Sequence, residues 1–363
     1  MEMESLGGKV VRAVDVGYGN IKYSISHPNA FGPIECGMFP SRSPVASDKG
    51  LSAGFAQRKD TTIVEVNGTA YEVGKDVAQA QGTYDTSSVL DNDFCLSDAY
   101  MARFLGALHY MTRTDKRGTP MVKDNHIDLL MAGLPVSNFC NKSLREGLKK
   151  KLTGSHQLAN GRAVTVADVV VLPQPLGGFF EYAFENNMFD TMKKQNNLII
   201  DPGFFTCDWL NSKGLIINEE RSDSVPRGMN AVFQGMVEAM KKKFGWKTDS
   251  SILLKLLDEH FRDGTPFIVF QKEYDPKDFL DAGRSIINDA VTALVNSVGD
   301  GADINNIVMV GGGAKFYLSA VQERFPHHTI LVMDNPVYSN TRGFQLAGER
   351  QLISANRRAS ASK

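Results

Sequence analysis

The chain has 363 residues, 42% of them hydrophobic and 22% charged, a balance that favours an ordinary globular protein over a disordered chain or a membrane bundle. At this length a single core stops growing, so two lobes are expected. Forty basic against 41 acidic residues leave no net field to draw nucleic acid or an anionic membrane from a distance, so no direct nucleic-acid or membrane contact is expected.

In chain order, Lys9 to Asp15 is a β-rich run that breaks at Val16-Gly17-Tyr18-Gly19-Asn20 and resumes as Ile21 to Ile25: strand, tight turn, strand. From about 30 to 96 the chain is rich in Gly, Ser and Asp, with short strands at Thr62 to Val66 and Thr69 to Val73, which suggests a small inserted subdomain. Ser97 to Thr112 places Tyr100, Met101, Phe104, Leu105 and Leu108 at helical spacing behind a Ser97 cap. Ile127 to Ala132 and Val169 to Leu172 are buried-type strands, each ending at a proline-containing loop where an open α/β sheet places a site. Helices are expected over Leu176 to Phe189, Gly228 to Phe244 and Pro276 to Val298, and Asn306 to Val310 is a strand running into Gly311-Gly312-Gly313. The last residues, from Ser354 to Lys363, are small and basic and read as a frayed tail.

Four cysteines, Cys36, Cys95, Cys140 and Cys207, stand far apart with no metal-ligand spacing, which argues against a zinc site or a disulfide framework. The acidic, polar start has no apolar leader, and no stretch approaches the ~20 apolar residues of a membrane span, so a cytoplasmic protein is expected. P-loop and dinucleotide fingerprints are absent from the sequence.

One stretch poses a sharper question. The apolar run Leu198-Ile199-Ile200 stops on Asp201, then Pro202 and Gly203, and resumes as a second strand through Phe204, Phe205, Thr206 and Asp208. The same pattern stands at the start of the chain: D-x-G-x-x-N-x-K from Asp15 matches D-x-G-x-x-T-x-D from Asp201 in register. A lone motif of this kind is a common hairpin turn. Two of them, about one domain's length apart, suggest a duplicated α/β core whose turns face across a cleft. Such turns offer converging backbone N–H groups to an anion, with glycine admitting phosphate closely. A carboxylate at each strand end would orient waters on Mg²⁺, and Lys22 would supply a point charge.

These stretches resemble the actin-like ATPases, specifically the ParM/StbA family of plasmid-segregation actins. Asp15 to Lys22 is similar to the family's first phosphate motif, Leu198 to Asp208 to the second, and Val308 to Ala314 (VMVGGGA) to the adenosine motif. Leu172-Pro173-Gln174 resembles the first connection between lobes, and Asn335 to Gly348 the helix returning to the first lobe. The resemblance spans nearly the whole chain. It implies an α/β actin-like ATPase fold of two duplicated ribonuclease-H-like lobes: residues 1–195, residues 196–333, and a returning C-terminal segment, 334–363. It further implies ATP and Mg²⁺ as cofactors, with Asp15 and Asp201 holding the metal through water and acting in catalysis. Gly17, Tyr18, Gly19, Asn20 and Lys22, with Gly203, Phe204, Phe205 and Thr206, would take the phosphates. Gly311, Gly312, Gly313 and Ala314 would flank the adenine, and Glu238 falls where relatives carry an acid for the ribose, or is a plain solvated helix charge.

Two departures matter. Where many plasmid members carry Glu, this chain has Gln174, whose amide can orient a water but cannot take its proton, so slow hydrolysis is expected. Phe204-Phe205 stands where a small residue is usual beside the phosphate. The resemblance implies head-to-tail filaments of the chain that position plasmid or mobile-element DNA through a ParR-like DNA-binding adaptor. The alternatives are a sugar- or acetate-type kinase of the same fold, with Asp208 or Asp223 as base, and, more weakly, a chaperone-type ATPase, for which the chain ends too early.

Overall fold

A computed structural model describes residues 6–26, 34–46, 59–77, 93–113, 122 and 125–361. Most of the inserted subdomain expected over 30–96 lies outside the described residues; its two short strands form an antiparallel hairpin, Thr61–Val66 with Thr69–Gly74. The chain folds as two compact units, one reaching Phe189 and taking in Tyr338–Lys363, the other Asp190–Val337.

The first unit is built on a five-stranded sheet. Its strands are β1 (Val11–Val16), β2 (Asn20–Ser26), β3 (Glu35–Pro40), β4 (Leu129–Leu134) and β5 (Val169–Pro173), in the order β5-β4-β1-β2-β3. The hairpin β1-β2 and strand β3 are antiparallel, whereas β1, β4 and β5 run parallel. Strand β1 is buried along its whole length, with Val14 and Val16 facing one core. That core includes Phe104 and Leu108 of helix α1 (Asp98–Thr112), whose first turn is capped by Ser97 accepting from the Tyr100 N–H at 3.1 Å, as the sequence suggested. Val11 and Ala13 face the other way, against Phe344 of the C-terminal helix (Ser339–Ala361).

Helix α2 (Gln174–Glu185) begins two residues earlier than its apolar spacing suggested, because Pro173 serves as N-cap directly at the end of β5. It stops before Phe189 because Asn187 takes a left-handed φ of 55°. The C-terminal helix crosses α2 at a pair of glycines. A Cβ on Gly343 would lie 1.7 Å from the Gly177 carbonyl oxygen, and one on Gly177 would lie 2.4 Å from that of Asn340. Beside the crossing, Arg342 forms an ion pair with the fully buried Glu181. Further along, Gln345 donates to the Val11 carbonyl at 3.0 Å and accepts from Ser24 at 2.8 Å, tying the helix to β1 and β2. The expected fray from Ser354 is not observed; the helix continues to Ala361. Asn356 bonds the Leu6 carbonyl at 3.5 Å and accepts from Lys9 at 3.4 Å, and the helix-compatible sequence does the rest.

The second unit repeats the same sheet. Its strands β6 (Asn196–Pro202), β7 (Cys207–Lys213), β8 (Ile216–Ile217), β9 (Asp223–Val225), β10 (Asn306–Met309) and β11 (Ile330–Val332) follow the order β8-β7-β6-β10-β11, with β9 also on β7. Again the first two strands form an antiparallel hairpin, a third strand joins the second antiparallel, and two parallel strands follow on the far side. Order and sense agree strand for strand with the first sheet, which is the duplication the paired motifs implied. Helices α3 (Met229–Phe244), α4 (Arg284–Val298) and α5 (Ala314–Arg324) complete its core with Trp209 and Phe267. Pro276 to Val298 is not one helix as expected. A 3₁₀ segment, Pro276–Gly283, precedes α4, and Gly283 lies where a Cβ would stand 2.5 Å from Val232 Cγ1 of α3.

The glycine crossing yields a direct test. Alanine at 343 gains about 1 kcal/mol of helix propensity, yet overpacking against the Gly177 carbonyl outweighs it. Gly343→Ala is expected to lose at least about 2 kcal/mol net in urea unfolding; a neutral or stabilised variant would contradict the crossing.

Candidate nucleotide site

In the first unit the site begins with Asp15, which continues the Val11-Ala13 face of β1 to the strand's end and is only 1% exposed. Three parallel strands end together there, with Asp15 level with Gly133 of β4 and Gly133 level with Leu172 of β5. Gly133 is required to be bare: a Cβ would lie 2.8 Å from Phe344, 3.0 Å from Gln174 Cγ and 3.4 Å from the Asp15 carboxylate. In the space so kept, Gln174 Nε2 donates to Asp15 Oδ1 at 2.6 Å. With the amide nitrogen on Asp15, the amide oxygen is the end left to accept from a ligand or water.

The other carboxylate oxygen takes Lys22 Nζ at 3.4 Å, from the residue directly opposite on β2. The intervening turn, Gly17 to Asn20, is partly exposed; a Cβ on Gly17 would come 2.9 Å from the Asn20 carbonyl oxygen, and Gly19 accepts from the Ser41 N–H at 2.9 Å. Tyr18 packs its ring on Phe94 at 5.8 Å. Beneath, burial pushes the Tyr100 hydroxyl far above its ordinary range, with Cys95 and Asp15 adding to the shift, so it remains neutral.

In the second unit Asp201 is next to last in β6, as Asp15 is in β1, and is 7% exposed. Its directly opposed residue is Asp208, so two carboxylates share one face where the first unit pairs an acid with a lysine. Thr206 donates from Oγ1 to Asp208 Oδ2 at 2.6 Å. Burial raises the neighbouring Cys207 thiol well above its usual range, and Asp208 and Asp201 raise it further, which leaves it protonated and unreactive.

The turn itself is closed by the Gly203 N–H on the Thr206 carbonyl at 2.8 Å and is clamped to the start of α3. Met229 and Asn230 donate to the Gly203 and Phe204 carbonyls at 3.0 and 2.7 Å, and Gly228 to that of Phe205 at 3.0 Å. A Cβ on Gly228 would sit 2.6 Å from the Phe204 oxygen, so this glycine admits the bulky Phe204-Phe205 turn. Phe205 turns inward and is buried, its ring edge-on to Phe204 at 5.0 Å.

The three loop glycines have different roles. Gly311, at φ 78°, lies where a Cβ would fall 2.0 Å from Asp201 Oδ1, and its N–H donates to Pro336 at 3.0 Å. Gly313 donates to the Pro202 carbonyl at 2.9 Å and is walled in by Pro202 and Met229, while Ala314 is fully buried. Gly312 is exposed; a Cβ there would meet just Val337 at 3.8 Å. Bare backbone is thus offered outward at Gly312, whereas its neighbours are small in order to seat Asp201 and the turn.

Glu238 does not join this group. It is exposed on α3, accepts from Ser250 at 3.4 Å, and stands nine residues beyond Met229, about 13 Å along the helix. Asp208, which the sequence offered with Asp223 as a kinase base, is the cross-strand partner of Asp201. Its place seven residues after the first acid, matching Lys22, was the available signal.

Two turns of matching design, each at the end of a sheet of the same strand order, define the actin-like fold. Residues 13–177 match the family of actin-like protein N-terminal domains, and residues 199–323 the archaeal actin homologue MreB-like C-terminal domain. Each half of the chain is thus similar to one half of an actin-like protein, and the fold is actin-like. Among solved structures, the archaeal actin homologue Ta0583 in complex with ADP is similar at 18% identity, with a TM-score of 0.69 over 94% of this chain and 99% of that one. The apo pSK41 ParM protein is similar at 19% identity and TM-score 0.66, over 96% and 99% of the two chains. The ParM of a 15-stranded filament from Clostridium botulinum is similar at 20% identity and TM-score 0.66, over 94% and 99%. No curated protein sequence matches the chain.

The unequal glycines separate packing from ligand contact. Gly311→Ala should cost about 2–4 kcal/mol in urea unfolding, from strain and the clash with Asp201. Gly312→Ala should stay within about 1 kcal/mol. Equal costs at the two positions would refute this division.

Proposed function

We propose that the chain is a ParM-type actin-like ATPase that binds ATP with Mg²⁺, assembles into filaments of itself, and positions plasmid or mobile-element DNA through a DNA-binding adaptor. The observation that carries the reading is the equivalence of Asp15 and Asp201, two buried carboxylates at the ends of first strands in sheets of identical order. The Gly17–Asn20 and Gly203–Thr206 turns take the phosphates, and the outward backbone at Gly312 takes the adenine. Glu238 is retained as a ribose contact only through the resemblance. ADP in the archaeal relative and the filament of the botulinum ParM support nucleotide binding and assembly by analogy of fold.

The donor set fits magnesium. Asp15, Asp201 and Asp208 offer oxygen ligands alone. That composition suits an ion keeping most of its waters and attached chiefly through phosphate. When bound, Mg²⁺ would neutralise the phosphates and the paired charge of Asp201 and Asp208. Lys22 exchanges Asp15 for a phosphate oxygen, and Gln174, held by its nitrogen on Asp15, turns its amide oxygen to the attacking water. Because an amide orients without accepting the proton, turnover is slow. No helix of the described residues is long and apolar enough to cross a membrane; the cytoplasm is the proposed place of assembly.

Two measurements test the reading. Right-angle light scattering of the purified chain with Mg²⁺ should rise on ATP and not on buffer, with filaments by negative-stain microscopy; ATP binding without any rise would favour a small-molecule kinase. Asp201→Ala should lower Mg²⁺-dependent phosphate release by at least about tenfold, an order set by losing one charge-assisted contact, while the far-ultraviolet spectrum is retained. Unchanged turnover would remove Asp201 from the site.

A further inference from the structure

The first phosphate turn has a neighbour that lies outside its motif. Strand β3 runs beside β2 with Pro40 level with Asn20, and the next residue, Ser41, donates its N–H to the Gly19 carbonyl at 2.9 Å. The strand ends there, because the Arg42 N–H returns to the Pro40 carbonyl at 2.7 Å and closes a three-residue turn centred on Ser41. Both flanks are anchored. Phe39, two residues earlier, is buried with its ring 5.4 Å from that of Tyr110, and the Ser43 hydroxyl, two residues later, donates to the Ala99 carbonyl of α1 at 3.4 Å.

Ser41 is 6% exposed, and its hydroxyl has no hydrogen-bond partner among the described residues. A serine hydroxyl donates one hydrogen bond and accepts two, and buried without a partner it costs free energy. Its Oγ lies only a side chain's length from the nitrogen that grips Gly19, so the unengaged hydroxyl borders the turn itself. Gly17 to Asn20 are partly exposed there, which leaves their backbone open to a ligand.

The second unit shows what is particular about this serine. Gly19 and Phe205 each stand four residues after the strand-end acid, and each carbonyl takes an N–H from outside its hairpin, from Ser41 in the first unit and from Gly228 at 3.0 Å in the second. No side chain fits at Gly228, where a Cβ would come 2.6 Å from the Phe204 oxygen. The second turn carries a hydroxyl of its own, Thr206, which is engaged with Asp208 at 2.6 Å. The first turn has Asn20 in that place, and its Tyr18 ring packs on Phe94. Ser41 therefore brings to the first turn a hydroxyl that the motif lacks, from a strand that holds it rigidly.

We infer that Ser41 is a further phosphate-binding residue: its hydroxyl donates to a phosphate oxygen of the nucleotide held at Gly17 to Asn20. The inference rests on the nucleotide reading above and adds one neutral side-chain donor to a turn otherwise supplied by backbone N–H groups and Lys22.

The test compares the unmodified full chain with Ser41→Ala and Ser43→Ala, by calorimetric titration with ATP and Mg²⁺ and by thermal unfolding without nucleotide. Ser41→Ala removes a hydroxyl that has no partner in the free chain, so its thermal midpoint should be kept or raised. Its ATP affinity should fall at least about tenfold, the effect of one hydrogen bond to a charged group. Adenosine, which has no phosphate, should bind Ser41→Ala and the unmodified chain alike. Ser43→Ala, whose hydroxyl already serves Ala99, should bind ATP as the unmodified chain does. Unchanged ATP affinity in Ser41→Ala, an equal loss with adenosine, or a loss matched by a lower midpoint of the free chain would overturn the inference and leave the nucleotide reading standing. An unmodified chain that binds no ATP would overturn both.

Discussion

In both units the acid at the strand end depends on backbone approaching closer than any side chain allows. In the first unit, the Gly177–Gly343 crossing brings α2 and the C-terminal helix together so tightly that Gln174 and Phe344 converge on Gly133. That convergence is what holds the Gln174 amide on Asp15. In the second unit, Gly311 does the corresponding work, leaving room for the Asp201 carboxylate to lie against the loop after β10. Remove the bare backbone and the carboxylates lose their places, because close-packed interiors transmit a methyl's displacement instead of absorbing it.

The two turns share a frame and differ in charge. Asp15 faces Lys22 across its hairpin, so the first turn brings its own cation; Asp201 faces Asp208, so the second brings two acids. This asymmetry within a duplicated scaffold is stronger support for a nucleotide than either motif by itself, since a structural hairpin has no need to oppose two buried carboxylates.

Much of this was legible in the sequence because strand periodicity and strand-ending acids are local signals. Both hairpins, the Ser97 cap, the two parallel strands of the first unit and the glycine loop follow from spacing alone. What escaped depends on contacts distant in the chain. The break between Pro276–Gly283 and α4 arises where Gly283 meets Val232, and the persistence of the last helix to Ala361 accompanies contacts with Leu6 and Lys9. The differing roles of Gly311, Gly312 and Gly313 are invisible in a run of three identical letters. So is the distance of Glu238 from the turn, which only the direction and length of α3 reveal.

The most direct measurement of the central claim is amide hydrogen exchange on the unmodified chain with and without ATP and Mg²⁺, followed peptide by peptide. Nucleotide bound by backbone at both turns should slow exchange together at Gly17 to Asn20, at Gly203 to Thr206 and around Gly312. Slowing at one turn alone, or at neither while ATP is bound elsewhere, would contradict the account of two matched half-sites serving one ligand.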